Sequence, residues 1–68
     1  MNQFSKEYLR ALRIRLGLSQ EKFAGMLGVS FSTVNRWESG KTKPSYLAQK
    51  MLRQLEEEIN HNEQSSES

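Results

Sequence analysis

The apolar residues of this chain recur at intervals of three and four, which is the spacing of one face of an α-helix. In the first stretch, Leu9, Leu12 and Leu16 form such a stripe. Ser5 precedes the stripe and is a residue type that caps helix N-termini, and a glycine follows it. The sequence therefore predicts a first helix from Lys6 to Leu16.

Two short helices are predicted next, each about two turns long. The second helix is capped by Ser19 and ends at Gly28, and the third is capped by Ser30 and runs from about Phe31 to Ser39. Their inward faces carry the apolar residues Phe23, Ala24, Leu27, Val34 and Trp37.

A longer fourth helix is predicted to open at Pro44-Ser45 and to end near Asn60. The chain shows no alternation typical of β-strands, so the predicted fold class is all-α. It is a compact four-helix domain over residues 1–60 with a long C-terminal helix. Residues 61–68 are polar throughout and are expected to form a disordered acidic tail.

Length and composition limit the classes of protein. The 68 residues allow one small domain. No cysteine and only one histidine are present, which excludes disulfides and a zinc site, and we expect no metal and no cofactor. No apolar run can span a membrane and no secretory signal opens the chain, so we expect a cytoplasmic protein without a membrane partner.

Charge is distributed unevenly along the chain. Residues 1–53 hold all ten Lys and Arg against three Glu, giving +7, whereas residues 54–68 hold five Glu and no base, giving −5, which together make the net charge of +2. A basic body with an acidic end indicates a polyanionic partner for the body. A charged surface that serves only solubility is the alternative interpretation.

The second and third helices have the spacing of a helix-turn-helix, in which two short helices are joined by a three-residue turn containing glycine. Ala24 is small where the helices would cross, Gly28 suits a positive φ, and Val29 can pack beneath the turn. Each match is weak alone, but together they favour this motif.

The chain here resembles the lambda Cro/phage C1 repressor family of helix-turn-helix domains, also called the XRE family. The likeness covers about residues 5–56. It is carried by Leu9-Arg10-Ala11-Leu12-Arg13, Leu16-Gly17-Leu18-Ser19-Gln20-Glu21, Phe23-Ala24, Leu27-Gly28-Val29-Ser30 and Thr33-Val34-Asn35-Arg36-Trp37-Glu38-Ser39-Gly40-Lys41-Thr42-Lys43-Pro44. The resemblance implies an all-α DNA-binding transcription regulator. Many relatives have separate fourth and fifth helices, whereas residues 45–59 read as one.

Two opposite charges fall on predicted apolar faces. At 100° per residue, Glu38 lies about 40° from Val34 on the third helix, and Arg13 lies about 40° from the leucine stripe of the first. A buried charge is tolerable only when it is paired. We therefore expect an ion pair between Arg13 and Glu38, which the resemblance also implies; the alternative is that both side chains curl to the rim.

The outward arc of the third helix is polar and not acidic, as expected of a surface that reads DNA. Arg can bond bidentately to guanine in the major groove, and Ser or Thr can bond to either base. The predicted base contacts are Phe31, Ser32, Thr33 and Arg36. The predicted phosphate contacts are Gln20, Asn35, Lys41 and Lys43.

Alternatives stay open for several of these residues. Phe31 either touches a thymine methyl group or covers the edge of the core. Gln20 is otherwise a solvated side chain, and Lys41 and Lys43 are otherwise ordinary surface lysines. Trp37 is expected to pack in the core and not to stack on a base.

The fourth helix carries a short apolar seam that is a candidate for pairing two subunits, since a single module touches few base pairs. Its members are Ala48, Leu52, Leu55 and Ile59. Leu47 and Met51 lie on an adjacent face, which would dock the helix on its own domain. In the alternative, both faces serve one intramolecular core.

The leading functional hypothesis is a sequence-specific regulator of transcription that binds double-stranded DNA. It is expected to be a repressor that binds a pseudo-palindromic operator as a homodimer. The rival hypothesis is an antitoxin or adaptor whose C-terminal region binds a protein partner. No acid, base and nucleophile occur in a catalytic arrangement, so an enzyme is not expected.

Overall fold

A computed structural model describes the backbone of residues 4–67 and the side chains of residues 4–60. The described chain folds into four α-helices: α1 (Lys6–Arg15), α2 (Gln20–Leu27), α3 (Phe31–Glu38) and α4 (Tyr46–Glu67). The first three helices end within one residue of the predicted positions. The predicted all-α, four-helix class is confirmed.

The N-termini of α1, α2 and α3 are fixed by serine caps. The side-chain oxygens of Ser5, Ser19 and Ser30 each accept a hydrogen bond from the backbone N–H three residues further along, at 3.1 Å in all three cases. Each such cap stabilises its helix by about 1 kcal/mol. These local contacts explain why the sequence alone predicted where the helices begin.

Gly28 makes the tight turn between α2 and α3. Its φ of 72° lies in the left-handed region, where a side chain is strained. In this conformation the N–H of Val29 reaches back to the carbonyl of Ala24 at 3.0 Å, which closes the end of α2. The turn sets the position of α3 against α2, and the two helices pack on each other.

The core lies between the four helices. Val34 and Trp37 of α3 are buried, and Trp37 is therefore a core residue, as expected. Phe4 is 1% exposed and was not predicted. It precedes the cap Ser5 and joins the same buried cluster as Leu9, four positions into α1. This arrangement matches the hydrophobic staple, a signal that the sequence contained.

The end of α4 is later than predicted. The helix continues to Glu67, whereas the sequence placed its end near Asn60. No proline or glycine occurs after Pro44, so no residue breaks the helix. The sequence predicted disorder for residues 61–68. The backbone is helical as far as Glu67, and the side chains of residues 61–68 lie outside the described part of the chain. No helix of the described chain is long and apolar enough to cross a membrane.

The predicted assignment of the two apolar faces of α4 is wrong. Leu47 is 69% exposed and Met51 is 37% exposed, so this face does not dock the helix on its own domain. The predicted seam docks the helix instead. Ala48, Leu52 and Leu55 are buried in the core of a single chain, and Ile59 packs against that core. Packing of α4 against α2 turns the seam face inward, which buries a face that is apolar over four positions, whereas the face left outside becomes polar after two. The seam is therefore not free to pair two subunits.

Candidate nucleic-acid interface

The exposed face of α3 presents the residues that the sequence predicted for base contact. Phe31 and Ser32 are exposed at the beginning of the helix, and Arg36 is exposed one turn further on. Thr33 is half-buried, and its hydroxyl lies 2.8 Å from the hydroxyl of Ser30, so it shares a hydrogen bond with the cap. Apart from Thr33, these side chains are accessible to a partner.

Arg36 and Phe31 are the two large side chains of this face. The guanidinium of Arg36 forms no hydrogen bond or ion pair with any residue of the described chain, and Phe31 is 51% exposed. Phe31 is not among the half-buried apolar residues packed against the core, so it does not cover the edge of the core. Both side chains therefore extend from a rigid helix toward solvent.

Arg13 and Glu38 form an ion pair that joins α1 to α3. The guanidinium donates from Nε to Oε2 at 2.7 Å and from Nη2 to Oε1 at 3.0 Å, which is a bidentate geometry. The side chains are 15% and 5% exposed, respectively, so the pair is largely removed from water. Its position beneath the exposed face of α3 holds that helix against α1.

The environment of the pair changes both pKa values. Burial alone would raise the pKa of Glu38, but the hydrogen bonds from Arg13 and Gln20 outweigh burial and leave the pKa lowered. The pKa of Arg13 is raised, because its hydrogen bond to Glu38 favours the charged form. Both groups are therefore held in their ionised states.

Arg13 also fixes the connection between α1 and α2. Its Nη1 donates to the backbone carbonyl of Leu18 at 2.9 Å. Leu18 lies just before the cap of α2, so the guanidinium of this α1 residue bonds both to the following loop and to α3. The start of α2 is thus positioned relative to α3.

Gln20 and Asn35, both predicted phosphate contacts, are joined by a hydrogen bond. Asn35 Nδ2 donates to Gln20 Oε1 at 3.1 Å, and Gln20 Nε2 donates to Glu38 Oε1 at 3.2 Å. A continuous chain of hydrogen bonds therefore leads from Arg13 through Glu38 and Gln20 to Asn35. The sequence does not predict this series of hydrogen bonds, because residues 15 and 18 positions apart show no pattern that marks them as partners.

Lys41 and Lys43 lie in the loop after α3, and both are exposed. The loop is tied to the helix by its backbone, since the N–H groups of Lys41 and Thr42 both donate to the carbonyl of Arg36. Gly40 permits this turn with a φ of 80°.

The start of α2 and the exposed face of α3, which are joined through Gln20 and Asn35, form the candidate interface together with the basic loop after α3. No acidic side chain of α3 is exposed there, whereas Glu21 in the first turn of α2 is exposed and acidic.

Two short helices that pack on each other across a tight glycine turn, with an exposed polar second helix and a basic flank, define a helix-turn-helix protein. The family model described as "Helix-turn-helix" matches residues 9–60. The chain belongs to this family, and the resemblance that the sequence indicated is confirmed.

Among individual proteins, the chain is similar to the "Uncharacterized HTH-type transcriptional regulator YiaG" of Escherichia coli strain K12. The two are 40% identical over 48 residues, which cover 71% of this chain and 50% of that protein. The proteins of the same name from strains CFT073 and O157:H7 match equally well. The chain spans about half the length of these relatives. No solved structure matches at the same level of significance.

Proposed function

We propose that this protein is a sequence-specific regulator of transcription that binds double-stranded DNA by placing α3 in the major groove. The observation that carries the proposal is the exposed face of α3, where Arg36 extends without a partner among the residues whose side chains are described. Membership of the helix-turn-helix family supports the proposal, as does the similarity to E. coli proteins named as HTH-type transcriptional regulators.

In this proposal the residues of α3 read the bases. Arg36 donates both terminal nitrogens to O6 and N7 of a guanine, which is the commonest specific contact in the major groove. Phe31 contacts the methyl group of a thymine. Ser32 and Thr33 bond to neighbouring base edges, with Thr33 exchanging its hydrogen bond to Ser30 for one to DNA.

The flanking residues hold the phosphates and thereby set the register of α3. Gln20 is the first residue of α2, where free backbone N–H groups and the positive end of the helix dipole favour an anion. Asn35 lies beside it and donates from the same surface, and Lys41 and Lys43 extend from the loop. Since Gln20 is hydrogen-bonded to Glu38, its orientation is fixed before DNA binds.

The repressor role and the dimer belong to the proposal. One module of this size covers few base pairs, and two copies related by a two-fold axis would cover half-sites about one helical turn apart. Occupying such a pseudo-palindromic operator blocks access of RNA polymerase. Light scattering with and without the operator duplex gives the number of copies that bind.

The test begins with a site selected from random duplexes, and compares Arg36→Ala with the matched variant Arg53→Ala. Arg53 is also exposed, but it lies on α4, away from this surface. We expect Arg36→Ala to lose about 1 to 3 kcal/mol of discrimination between the selected and a random duplex, with an unchanged circular dichroism spectrum. Arg53→Ala should discriminate as the wild type does. Equal discrimination by both variants would remove Arg36 from base reading and with it the proposal.

A further inference from the structure

A cavity of about 310 Å³ lies on the other side of the basic loop, between the start of α1 and the end of α3. This volume is at the lower end of the range of about 300 to 1,000 Å³ that is usual for ligand pockets. Its walls combine hydroxyl groups, two lysines and two aromatic rings: Phe4, Ser5, Lys6, Trp37, Ser39, Gly40, Thr42 and Lys43. None of these residues is acidic.

The start of α1 supplies backbone donors to the cavity. Ser5 caps the helix by accepting from the N–H of Tyr8, and the N–H of Leu9 bonds to the carbonyl of Ser5. The N–H groups of Lys6 and Glu7 find no acceptor in the described chain. Of these two residues Lys6 lines the cavity, so its free N–H and the positive end of the helix dipole border the cavity, an arrangement that favours an anion.

Trp37 provides an independent indication of a ligand. It lines the cavity and is 3% exposed, and no residue of the described chain accepts a hydrogen bond from its indole N–H. Every fully buried polar atom of the described side chains has a partner. The indole N–H is therefore in contact with solvent at the small exposed part of the side chain, where it can donate to an acceptor in the cavity.

The two lysines add positive charge. Lys6 lies across Gly40, since a Cβ atom placed on that glycine would be 3.1 Å from Lys6 Cδ and 3.6 Å from its Nζ. A side chain at position 40 would therefore force the lysine to shift by a few tenths of an ångström. Neither Lys6 nor Lys43 forms an ion pair with a described residue. At the end of α3, the carbonyls of Asn35, Arg36 and Trp37 already accept from backbone N–H groups that follow them.

We propose that this cavity binds a phosphate group, held by the start of α1, the indole N–H of Trp37 and the ammonium groups of Lys6 and Lys43. Such a group belongs either to the DNA backbone or to a free phosphorylated molecule. Because Lys43 is also a proposed DNA contact, occupation of the cavity and binding of DNA are coupled. This coupling rests on the proposed function, whereas the anion site does not.

The first experiment titrates ¹⁵N-labelled protein with inorganic phosphate at constant pH and ionic strength. The chain has one tryptophan, so the indole N–H of Trp37 gives a single resolved signal. We expect this signal to shift and to saturate. A shift that grows linearly without saturation would indicate an adventitious ion only and would overturn the proposal, as would no shift.

Variants then locate the site. Lys6→Gln and Lys43→Gln should each weaken phosphate binding about tenfold, which is the loss expected for one charge-assisted hydrogen bond. Lys22→Gln is the matched control, because Lys22 is an exposed lysine that does not line the cavity. All three side chains are exposed, so we expect unchanged melting temperatures. Equal weakening by all three variants would overturn the proposal.

A third titration, with the selected DNA duplex, distinguishes the two sources of the phosphate group. If the group is a backbone phosphate, the duplex shifts the Trp37 signal, and Lys6→Gln reduces the slope of log affinity against log salt by about 1. If it belongs to a free molecule, the duplex leaves the indole signal unchanged while inorganic phosphate still saturates it. Saturation by phosphate without DNA binding would reject the proposed function alone.

Discussion

At the residue scale, the Arg13–Glu38 pair links stability to the recognition surface. Its bidentate geometry and low exposure mean that each charge depends on the other for its hydrogen bonds. Glu38 also accepts from Gln20, whose other end holds Asn35. A change at this one carboxylate should therefore affect both the unfolding free energy and the orientation of two proposed phosphate contacts.

Replacing Glu38 by Ala should lower the free energy of unfolding by roughly 3 kcal/mol, because Arg13 would remain in the interior without its partner. The combined change Arg13→Met with Glu38→Leu should lose less than the sum of the two single changes, since it strands no charge. Urea unfolding of the wild type, Glu38→Ala, Arg13→Met, Glu38→Leu and the combined variant measures these differences. Unchanged stability of Glu38→Ala would contradict the buried character of the pair.

The lowered pKa of Glu38 predicts how stability depends on pH. The folded state favours the carboxylate, so its contribution is complete above the unfolded pKa of about 4.3 and is lost as the pH falls through the lower folded value. The melting temperature of the wild type should therefore fall on acidification below that pH, and Glu38→Gln should show a smaller fall. Glu58→Gln, at an exposed position of α4, is the control and should follow the wild type. A steeper fall in Glu38→Gln than in the wild type would have the wrong sign.

At the element scale, the helix-turn-helix contains two glycines, and only one of them has a backbone conformation that requires glycine. Gly25 lies within α2 with open space where a Cβ would be, and its φ is not positive. Gly28 also has open space, but its φ of 72° is strained for any other residue. Space therefore permits alanine at both positions, and only the backbone conformation separates them.

Alanine at the two positions should shift stability in opposite directions. Gly25→Ala should stabilise the protein by about 0.5 to 1 kcal/mol, because alanine is the better helix former and loses less entropy on folding. Gly28→Ala should destabilise it by about 1 kcal/mol, because the left-handed conformation crowds its Cβ. Thermal unfolding of both variants under the same conditions gives the two signs, and the same sign for both would argue against this account of the turn.

The prediction of elements from sequence succeeded where the signals were local. The three serine caps and the turn at Gly28 involve atoms within a few residues, so pattern alone located α1, α2 and α3. For α4 the apolar pattern was present on two neighbouring faces. Periodicity gives the angle between the two faces. Which face packs against α2 depends on the orientation that the loop between α3 and α4 gives to the helix, and the sequence does not specify that orientation.

At the scale of the whole molecule, the charge distribution separates the two functional hypotheses. Residues 61–68 carry two of the eight glutamates, so their removal changes the net charge from +2 to +4. For a DNA-binding regulator, this change should leave the affinity for DNA intact or increase it, because like charge is removed.

The truncated chain 1–60 tests this expectation in a DNA titration beside the full chain. An antitoxin or adaptor that uses its C-terminal region would instead lose its protein partner while its DNA binding stays the same. A truncated protein that folds as the full chain does and binds DNA more weakly would contradict the electrostatic argument.

Part of the candidate site was accessible from sequence, and part was not. Angular projection placed Ser32 and Arg36 on the outer arc of the third helix and turned Glu38 inward, because one helix fixes its own faces. The hydrogen bond between Gln20 and Asn35 and the cavity beside Trp37 involve separate helices. Their existence depends on distances between elements that no local pattern records.

The sequence by itself determined that the chain forms short capped helices and that its second and third helices make a helix-turn-helix. Both follow from backbone geometry and capping, which act over short range. For Arg13 and Glu38 the sequence left two solutions, and the packing of α1 against α3 decided for the ion pair. Only the tertiary structure decided which face of α4 is buried and that Phe4 seals the core. It also decided which donors surround the cavity between α1 and α3, because these properties arise from how whole helices pack.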